Sequence, residues 1–376
     1  MFHLMFSMPG LYVIVRFLWP LPWPRAVRIA LAVLVLLGSQ YHLFSRLSSG
    51  SQFAPEFHKG LILAFNVVFV GVLLLAAMQL LVDAMSLLVA VLRRRRVRIP
   101  AGVRVSLGSV ALLLAVVGVT NAMRQPQLHV MDIAVPGLPQ AFEGYRILQL
   151  TDVHASRLFD APWVEAMVQA ANAQQADIIL ITGDLIDGTV NMRIQDVSPL
   201  AALHAADGVW FSSGNHEYYF NRPEWFAHNR AALGMRTLSN AHTVLQRGED
   251  RLVIAAVNDP TAAGYGLPAP DLEAALDGAP AGVPVVLMDH QPRNAPQAAA
   301  AGVAVQLSGH THGGMLWGLD QVVARANNGF VRGRYDVGGM TLYVSPGTAL
   351  WPGFAARLGT RNELTVIRLV GAVQTR

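Results

Sequence analysis

The sequence predicts an α-helical transmembrane region followed by an α/β domain. Hydrophobic residues make up 53% of the 376-residue chain, charged residues only 14%, and the mean hydropathy is +0.39. Such a composition is too apolar for an ordinary soluble protein and indicates membrane spans. Beyond residue 143, short apolar runs alternate with amphipathic stretches, as strands and helices do in an α/β domain.

Long apolar runs occupy most of residues 1–123, and each is close to the ~20 residues that a helix needs to cross a bilayer. A weaker candidate, residues 1–19, is interrupted by Pro9, Gly10 and Arg16, and is either a first span or a signal-like start. We therefore predict a transmembrane helical region with about four spans. The three stronger runs are residues 29–45, 60–92 and 103–123.

The arginines predict the orientation of these spans. One arginine-rich link holds Arg93–Arg96, Arg98 and Arg104, and Arg16, Arg25 and Arg28 surround the first link. The positive-inside rule places both links in the cytoplasm. We therefore expect a multi-pass protein of the inner (cytoplasmic) membrane, with everything after residue 123 extracytoplasmic, in the periplasm of a Gram-negative cell.

Asp83 lies within the third apolar run, where a carboxylate is a candidate functional residue. The alternative is that the span ends near Leu81 and leaves Asp83 at the membrane interface.

The distribution of charge argues against nucleic-acid binding. Residues 1–123 carry 11 Lys/Arg against two acidic residues, a formal charge of +9, whereas residues 124–376 carry 17 against 22, a charge of −5. The basic excess thus belongs to the membrane region. Cysteine is absent, which excludes disulfides and thiolate ligands.

Residues 124–143 are proline-rich, and we interpret them as a linker that leads into an edge strand, with a domain over residues 144–376. Helical stretches separate several of the apolar runs in that domain, namely Pro162–Gln175, Pro223–Leu233 and Asp271–Ala275. The predicted strands are Arg146–Leu150, Ile178–Thr182, Val209–Ser212, Leu252–Val257, Val283–Met288, Ala304–Leu307 and Thr341–Val344.

Polar clusters follow five of these strands. Because ligands gather at the carboxyl ends of strands in open α/β sheets, we expect the clusters to converge on one site. Asp, His and Asn without Cys suit Mn²⁺, Fe or Zn²⁺, and two such ions need a bridging carboxylate. The clusters are Thr151–His154, Gly183-Asp184, Gly214–Glu217, Asp289-His290 and Gly309–Gly314.

In this order, the motifs DxH, GD, GNHE, a lone His and GHTH resemble the calcineurin-like metallophosphoesterase family over about residues 145–370. The surroundings LQLTDVH, ITGDLID, LMDHQP and GHTHGG are similar to those of a membrane-associated bacterial subgroup and of vertebrate transmembrane proteins with the same domain. The resemblance implies a two-sheet αββα sandwich and a metal-dependent phosphoric ester hydrolase that uses two divalent ions, with Mn²⁺ favoured.

Carried over by motif, the resemblance implies that Asp184 bridges two ions. His216 would contact the phosphoryl oxygen or protonate the leaving group. Because metal ligands need orienting partners, we also expect Asp187, Glu217 and Asp289 to orient the ligands or to stabilise the turns that carry them. The implied ligands are Asp152, His154 and His312 on the first ion, and Asn215, His290 and His310 on the second.

Three further features bear on the substrate. Met315-Leu316-Trp317 is apolar where similar sequences often have a Gln, which indicates either a pocket for an apolar substrate or a packing difference. The Trp351–Phe354 loop is suited to meet a membrane or an acyl chain. Arg357 is either a phosphate-binding or a surface arginine.

The sequence therefore favours a membrane-anchored phosphoesterase that acts on a phosphomonoester or phosphodiester, with a lipid or cell-envelope substrate. The alternatives are a general periplasmic phosphodiesterase or nucleotidase, and a non-catalytic membrane sensor or transporter with a ligand-binding phosphoesterase domain.

Overall fold

The computed structural model describes residues 2–95 and 97–372, so that Arg96 of the arginine-rich link and residues 373–376 lie outside the described residues. The chain forms two compact units. The first, the helical unit, comprises Met1–Met123 and Pro352–Leu358, and the second, the sheet unit, comprises Arg124–Trp351 and Gly359–Arg376.

Among the described residues, the helical unit contains five α-helices, of which the fourth and fifth are long and apolar enough to cross a membrane. The second and third meet at an angle of 52° and count as a third span if they form one bent span. The first helix contains Pro9, and its apolar part is shorter than a span. Two or three candidate spans are present among the described residues, and the predicted number of four is not confirmed. The helices are α1 (Phe2–Val13), α2 (Arg25–Ser39), α3 (Tyr41–Ser49), α4 (Lys59–Arg93) and α5 (Ala101–Ala122).

Asp83 belongs to a polar cluster that joins three of these helices. Its Oδ2 accepts hydrogen bonds from the Tyr12 hydroxyl at 2.7 Å and from Arg16 Nε at 2.8 Å, and its Oδ1 accepts one from Gln79 Nε2 at 2.8 Å. Arg104 of α5 donates to the Arg16 carbonyl. The arginines of the first link and of α5 therefore lie at the same end of the helical unit.

Pro352–Leu358 packs at the other end of these helices, where side chains of α3, α4 and α5 bind its backbone. The Pro352 carbonyl accepts hydrogen bonds from the Tyr41 hydroxyl and from Asn66 Nδ2, both at 2.9 Å. Asn121 of α5 donates to the Arg357 carbonyl at 3.3 Å. Asn66 precedes Asp83 by 17 residues, or about 26 Å along α4.

The sheet unit is built on two mixed six-stranded sheets, which confirms the two-sheet expectation. The strand orders are β1-β12-β2-β3-β4-β5 and β10-β11-β9-β8-β7-β6, and β2, β3 and β4 are parallel neighbours, as are β7, β8 and β9. The strands are β1 (Gln127–Val135), β2 (Arg146–Leu150), β3 (Ile178–Thr182), β4 (Val209–Ser212), β5 (Arg236–Thr237), β6 (Ala241–Arg247), β7 (Asp250–Ala256), β8 (Val285–Met288), β9 (Val305–Ser308), β10 (Gly333–Val337), β11 (Met340–Val344) and β12 (Glu363–Gly371).

The two sheets share a core because their strands alternate between two apolar faces. Leu252 and Ile254 of β7 pack with Ile147 and Ile178 of the other sheet, whereas Val253 points to the opposite face. Helices α10 and α11 cover that outer face. The helices of this unit are α6 (Ala161–Asn172), α7 (Val190–Val197), α8 (Asn215–Tyr219), α9 (Arg222–Ala231), α10 (Leu272–Leu276), α11 (Ala295–Ala300) and α12 (Leu319–Ala326).

Residues 127–135, within the segment interpreted as a linker, form β1, which pairs in parallel with β12 at the edge of its sheet. Alternating apolar residues and nine paired positions with β12 account for this strand.

Candidate metal centre

The seven predicted ligands lie directly after five strands and come together at the carboxyl ends of the two sheets. Asp152 and His154 follow β2, and Asp184 follows β3. Asn215 opens α8 after β4. His290 follows β8, and His310 and His312 follow β9. Parallel neighbours end at one sheet edge, which is why residues far apart in sequence meet there.

The backbone at these loops is strained. Positive φ angles cost a non-glycine residue about 1–3 kcal/mol and persist only where surrounding contacts fix them. Here the Asp152 N–H donates to the Gly183 carbonyl at 3.0 Å, and the His154 N–H donates to the Asp184 carbonyl at 3.1 Å. Five of the seven ligands have positive φ: Asp152 (53°), His154 (47°), Asp184 (52°), His310 (68°) and His312 (49°).

Glycines allow these loops to approach one another. A Cβ on Gly183, whose φ is 92°, would lie 2.4 Å from the Gly214 nitrogen and 2.7 Å from His290 Nδ1. A Cβ on Gly309 would lie 2.2 Å from Asp152 Oδ2. Any larger residue at either position would push the ligand loops apart.

Asp152, His154 and His312 form one group of possible ligand atoms, all within 4.8 Å of one another. His154 Nε2 lies 3.8 Å from Asp152 Oδ1, and His312 Nε2 lies 3.7 Å from the same oxygen. Two ligands about 2.1 Å from one ion are about 3.0–3.6 Å apart, so a small contraction of this group would hold a divalent ion.

Asp184 connects this group to the remaining ligands. Its Oδ2 lies 3.8 Å from His154 Nε2 and 3.2 Å from His290 Nε2, and it forms a second group with Asp152 and His290. His310 Nδ1 is 2.8 Å from Asn215 Oδ1, and the His290 and His310 rings are 5.2 Å apart. Asp184 thus faces both sets of ligands, as a bridging carboxylate must.

The histidine nitrogens fit metal ions. His154 Nε2 and His290 Nε2 are fully buried and have no hydrogen-bond partner among residues 2–95 and 97–372. The other nitrogen of each ring is engaged: His154 Nδ1 contacts Asp187 at 3.0 Å, and His290 Nδ1 contacts the Thr182 carbonyl at 2.8 Å. A ligand imidazole is oriented in this way in metal sites, because the second nitrogen fixes the ring.

Asp187 also orients His216. One carboxylate oxygen of Asp187 binds His154 Nδ1 and the other binds His216 Nδ1, so that one fully buried side chain holds both rings. His216 Nε2 lies 3.9 Å from Asp184 Oδ2, and the His216 backbone N–H donates to Asp184 Oδ1 at 2.8 Å. The His216 ring is therefore fixed beside the carboxylate that faces both ligand groups.

Glu217 holds the loops after β3 and β4 together. Its carboxylate accepts the backbone N–H groups of Asp184 (3.1 Å), Leu185 (2.7 Å) and Gly214 (2.7 Å). Burial, followed by the charge of Asp184, raises the pKa of Glu217 to about 7. Its contacts are with the backbone of the ligand loops, and it therefore stabilises the turns that carry the ligands.

Burial and neighbouring charges shift the pKa values of the residues in this cluster. Burial opposes protonation of His154, but the charge of Asp187 outweighs it and raises the pKa to about 10. Burial, assisted by the charge of His290, lowers the pKa of His310 to about 4. Burial disfavours the charged form of Asp184, yet the charge of His290 holds its pKa well below the ordinary value. Ionised carboxylates suit cations, and His154 must release its proton to bind one.

Asp259 was not among the site residues predicted from the sequence. It is buried at the carboxyl end of β7, and its Oδ2 accepts a hydrogen bond from Gln291 Nε2 at 2.8 Å. Burial, followed by the charge of Asp259, raises the pKa of Asp289 to about 7. Asp259 lies just after the predicted strand Leu252–Val257, as the other polar clusters lie after theirs, and this position could have identified it.

The structure locates the three sequence features that were predicted to bear on the substrate. Arg357 is fully buried and belongs to the helical unit, so it is not a surface arginine. Met315 is buried next to the histidine loop, whereas Trp317 is 72% exposed. Phe354 of the predicted membrane loop packs edge-on against Phe69 of α4, with ring centroids 5.7 Å apart.

Comparison with known proteins identifies a family. The model of the family described as calcineurin-like phosphoesterase matches residues 145–314. Two vertebrate proteins, each named "Transmembrane protein with metallophosphoesterase domain", are 32% (Danio rerio) and 34% (Bos taurus) identical over 69% and 70% of this chain. The chain spans 61% of the length of each. An uncharacterized metallophosphoesterase of Campylobacter jejuni is 30% identical over 71% of this chain and 69% of its own length.

Proposed function

Since the chain belongs to the calcineurin-like phosphoesterase family, we propose that it is a membrane-anchored hydrolase of phosphoester bonds that uses two divalent metal ions. Its substrate in this proposal is a phosphomonoester or phosphodiester of a lipid or of another cell-envelope molecule. Mn²⁺ is the favoured ion, with Fe and Zn²⁺ as alternatives that the same oxygen and imidazole ligands accept.

One observation carries the proposal. Two buried imidazole nitrogens, His154 Nε2 and His290 Nε2, have no hydrogen-bond partner among the described residues and face the carboxylates of Asp152 and Asp184 at 3.2–3.8 Å. Leaving such groups unsatisfied is costly, and a cation at this position removes the cost. The ligand sets are Asp152, His154 and His312 for one ion and Asn215, His290 and His310 for the other, with Asp184 shared.

Ions held there supply Lewis-acid stabilisation of a phosphoryl group and lower the pKa of water. The protein's own contribution lies in His216. Because Asp187 binds its Nδ1, the ring is held with Nε2 on the side of Asp184. We assign to His216 Nε2 the proton that the leaving-group oxygen takes up when the ester bond breaks.

The helical unit supports membrane anchoring and the proposed orientation. Arg16 and Arg104 lie at one end of the helices, and α5 runs from Arg104 towards the start of the sheet unit at Arg124. With the arginine-rich end in the cytoplasm, the end of α5 is extracytoplasmic. Anchoring raises the effective concentration of a membrane-embedded substrate, which favours lipid and envelope phosphoesters.

The test of the function uses the full-length protein in neutral detergent with Mn²⁺ and a panel of lipid-linked and soluble phosphoesters, with products identified by mass spectrometry. We expect metal-dependent hydrolysis that favours lipid-linked esters and that Asp184→Asn abolishes. Asp277→Asn, an exposed carboxylate in the same unit, should retain it. Stoichiometric metal binding without turnover on any ester would instead support the sensor or transporter alternative.

The orientation can be tested because the chain has no cysteine. A single cysteine at exposed Asp277 should react with a membrane-impermeant maleimide once the outer membrane is permeabilised. A single cysteine at exposed Arg95 should react only after lysis of the inner membrane. The reverse pattern would place the sheet unit in the cytoplasm and remove the argument for envelope substrates.

A further inference from the structure

A pocket of about 420 Å³ lies between the edges of the two sheets of the sheet unit. Its walls come from β1, β10, β11 and the segment that leads into β12. Its lining includes Arg332, Arg334 and Arg361, and differs from the seven candidate ligands. The pocket is therefore separate from the metal centre, and its side chains have no role in the function proposed above.

The charge of this pocket is unbalanced. Three arginines line it, and Glu363 is the one acidic residue among its lining side chains. The Glu363 carboxylate already accepts hydrogen bonds from the Tyr343 hydroxyl and from Thr365 Oγ1. A cluster of guanidinium groups with so little compensating charge attracts an anion, and phosphate matches their planar array of donors.

Two of the three arginines are held in place by hydrogen bonds, and all three retain free N–H donors. Arg332 donates to the Gly313 carbonyl, and Arg361 donates to Gln127 Oε1. Each guanidinium carries five N–H donors, so one hydrogen bond leaves most of them available. The exposed side chain of Arg334 has no hydrogen-bond or ion-pair partner among residues 2–95 and 97–372.

An aromatic pair lies beside these donors. His129 of β1 stacks on Tyr343 of β11 with ring centroids 6.2 Å apart and an interplanar angle of 12°. Arg334 is directly opposite Tyr343 in the β10–β11 pairing. Tyr343 is buried, so the exposed His129 ring supplies the aromatic surface next to the cationic groups, which suits a headgroup attached to apolar chains.

The pocket adjoins the metal centre. A Cβ on Gly313, the residue after His312, would lie 2.8 Å from Thr360 Oγ1 and 3.5 Å from Arg332 Cδ, and both of these residues line the pocket. Pro346, another lining residue, precedes Gly347, where a Cβ would lie 3.3 Å from His312 Nδ1. Single residues thus separate the pocket wall from a candidate metal ligand.

One lining residue of the pocket is close in sequence to the helical unit. Arg361 follows Leu358, the last residue of the segment that packs in that unit, by three residues. We propose that this pocket binds the phosphate group of an anionic phospholipid headgroup beside the metal centre. The proposal rests on the membrane anchoring in the proposed function but not on its hydrolytic step.

The experiment measures lipid binding to the full-length protein in neutral detergent by native mass spectrometry. The probes are phosphatidic acid, zwitterionic phosphatidylcholine and inorganic phosphate. We expect phosphatidic acid to bind at least about tenfold more tightly than phosphatidylcholine, and inorganic phosphate at equal concentration not to displace it. Arg334→Ala should weaken phosphatidic acid binding about tenfold, and Arg334→Lys should restore part of it.

Arg230→Ala is the matched control, because Arg230 is an exposed arginine of α9 outside the pocket, and it should bind like the unmodified protein. Asp184→Asn should also retain binding, so failure of hydrolysis and failure of lipid binding are distinguishable. Unchanged binding in Arg334→Ala, or an equal loss in Arg230→Ala, would overturn the proposal. If inorganic phosphate at equal concentration displaces phosphatidic acid, the proposal that the bound phosphate belongs to a lipid headgroup is overturned.

Discussion

Each unit of this protein contains a cluster of partly or fully buried carboxylates and polar side chains, and the two clusters differ in how their hydrogen-bonding groups are used. In the helical unit, both oxygens of Asp83 are occupied by Tyr12, Arg16 and Gln79. In the sheet unit, His154 Nε2 and His290 Nε2 have no partner among the described residues.

This difference separates a structural cluster from a ligand-binding one. The partly buried carboxylate of Asp83, with three hydrogen-bond donors, is satisfied and joins helices without needing a further group. Buried nitrogens without partners that converge on carboxylates need a cation. The residue types alone do not make this distinction, because both clusters are rich in charged residues.

The first prediction concerns the shared carboxylate, where the largest effect is expected. Asp184→Asn removes a charge that faces His154 and His290. Changes to residues that only orient metal ligands typically lower activity about 10–100-fold. Asp184→Asn should lower the rate of hydrolysis by more than this, and at least one metal ion should be lost. Turnover and metal content measure this, with Asp277→Asn as the control. Full turnover in Asp184→Asn would remove the bridging assignment.

The second prediction tests His216 as the proton donor. His216→Ala should keep the metal content and lose about 10²–10⁴-fold in turnover on esters with poor leaving groups, with a much smaller loss on activated aryl esters. The exposed His204 provides a control substitution. An equal loss on both classes of ester would assign another role to His216.

A smaller effect is expected at Asp187, which orients two rings without being one of the predicted ligands. Asp187→Asn removes the negative charge and replaces one of the two accepting oxygens by an amide nitrogen. The side chain then accepts a hydrogen bond from only one Nδ1 atom, so the His154 and His216 rings should be less well fixed. Metal affinity or turnover should fall about 10–100-fold. Titration with Mn²⁺ measures the affinity, and unchanged affinity and turnover would contradict the orienting role.

The smallest effect on activity is expected in the helical cluster. Asp83→Asn should leave metal content and turnover in detergent within about twofold of the unmodified protein, while the loss of charged partners should destabilise the helical unit by about 1–3 kcal/mol. Thermal unfolding followed by circular dichroism measures the second effect. Loss of turnover with intact stability would show that Asp83 takes part in function.

The sequence predicted the sheet unit well where its strands are short and mostly apolar. Arg146–Leu150, Ile178–Thr182 and Val209–Ser212 have the predicted bounds, because each is a buried run that ends at a polar cluster. β12 was missed: Arg368 interrupts its apolar pattern, and its pairing with β1 and β2 joins distant parts of the chain.

The sequence was less informative about contacts between distant segments. It left the role of Asp83 open, because only the structure brings Tyr12 and Arg16 to it from 71 and 67 residues away. Likewise, nothing in the sequence of Pro352–Leu358 indicated that Asn66 and Tyr41 would bind its backbone. These contacts depend on tertiary packing, which local patterns do not encode.

The contrast between the two clusters is tested most directly by counting metal ions in the full-length protein. Inductively coupled plasma mass spectrometry after saturation with Mn²⁺ and removal of free metal should give close to two ions per chain, both in the unmodified protein and in Asp83→Asn. Asp184→Ala should hold no more than one. A count of zero or one in the unmodified protein, or two in folded Asp184→Ala, would contradict the account.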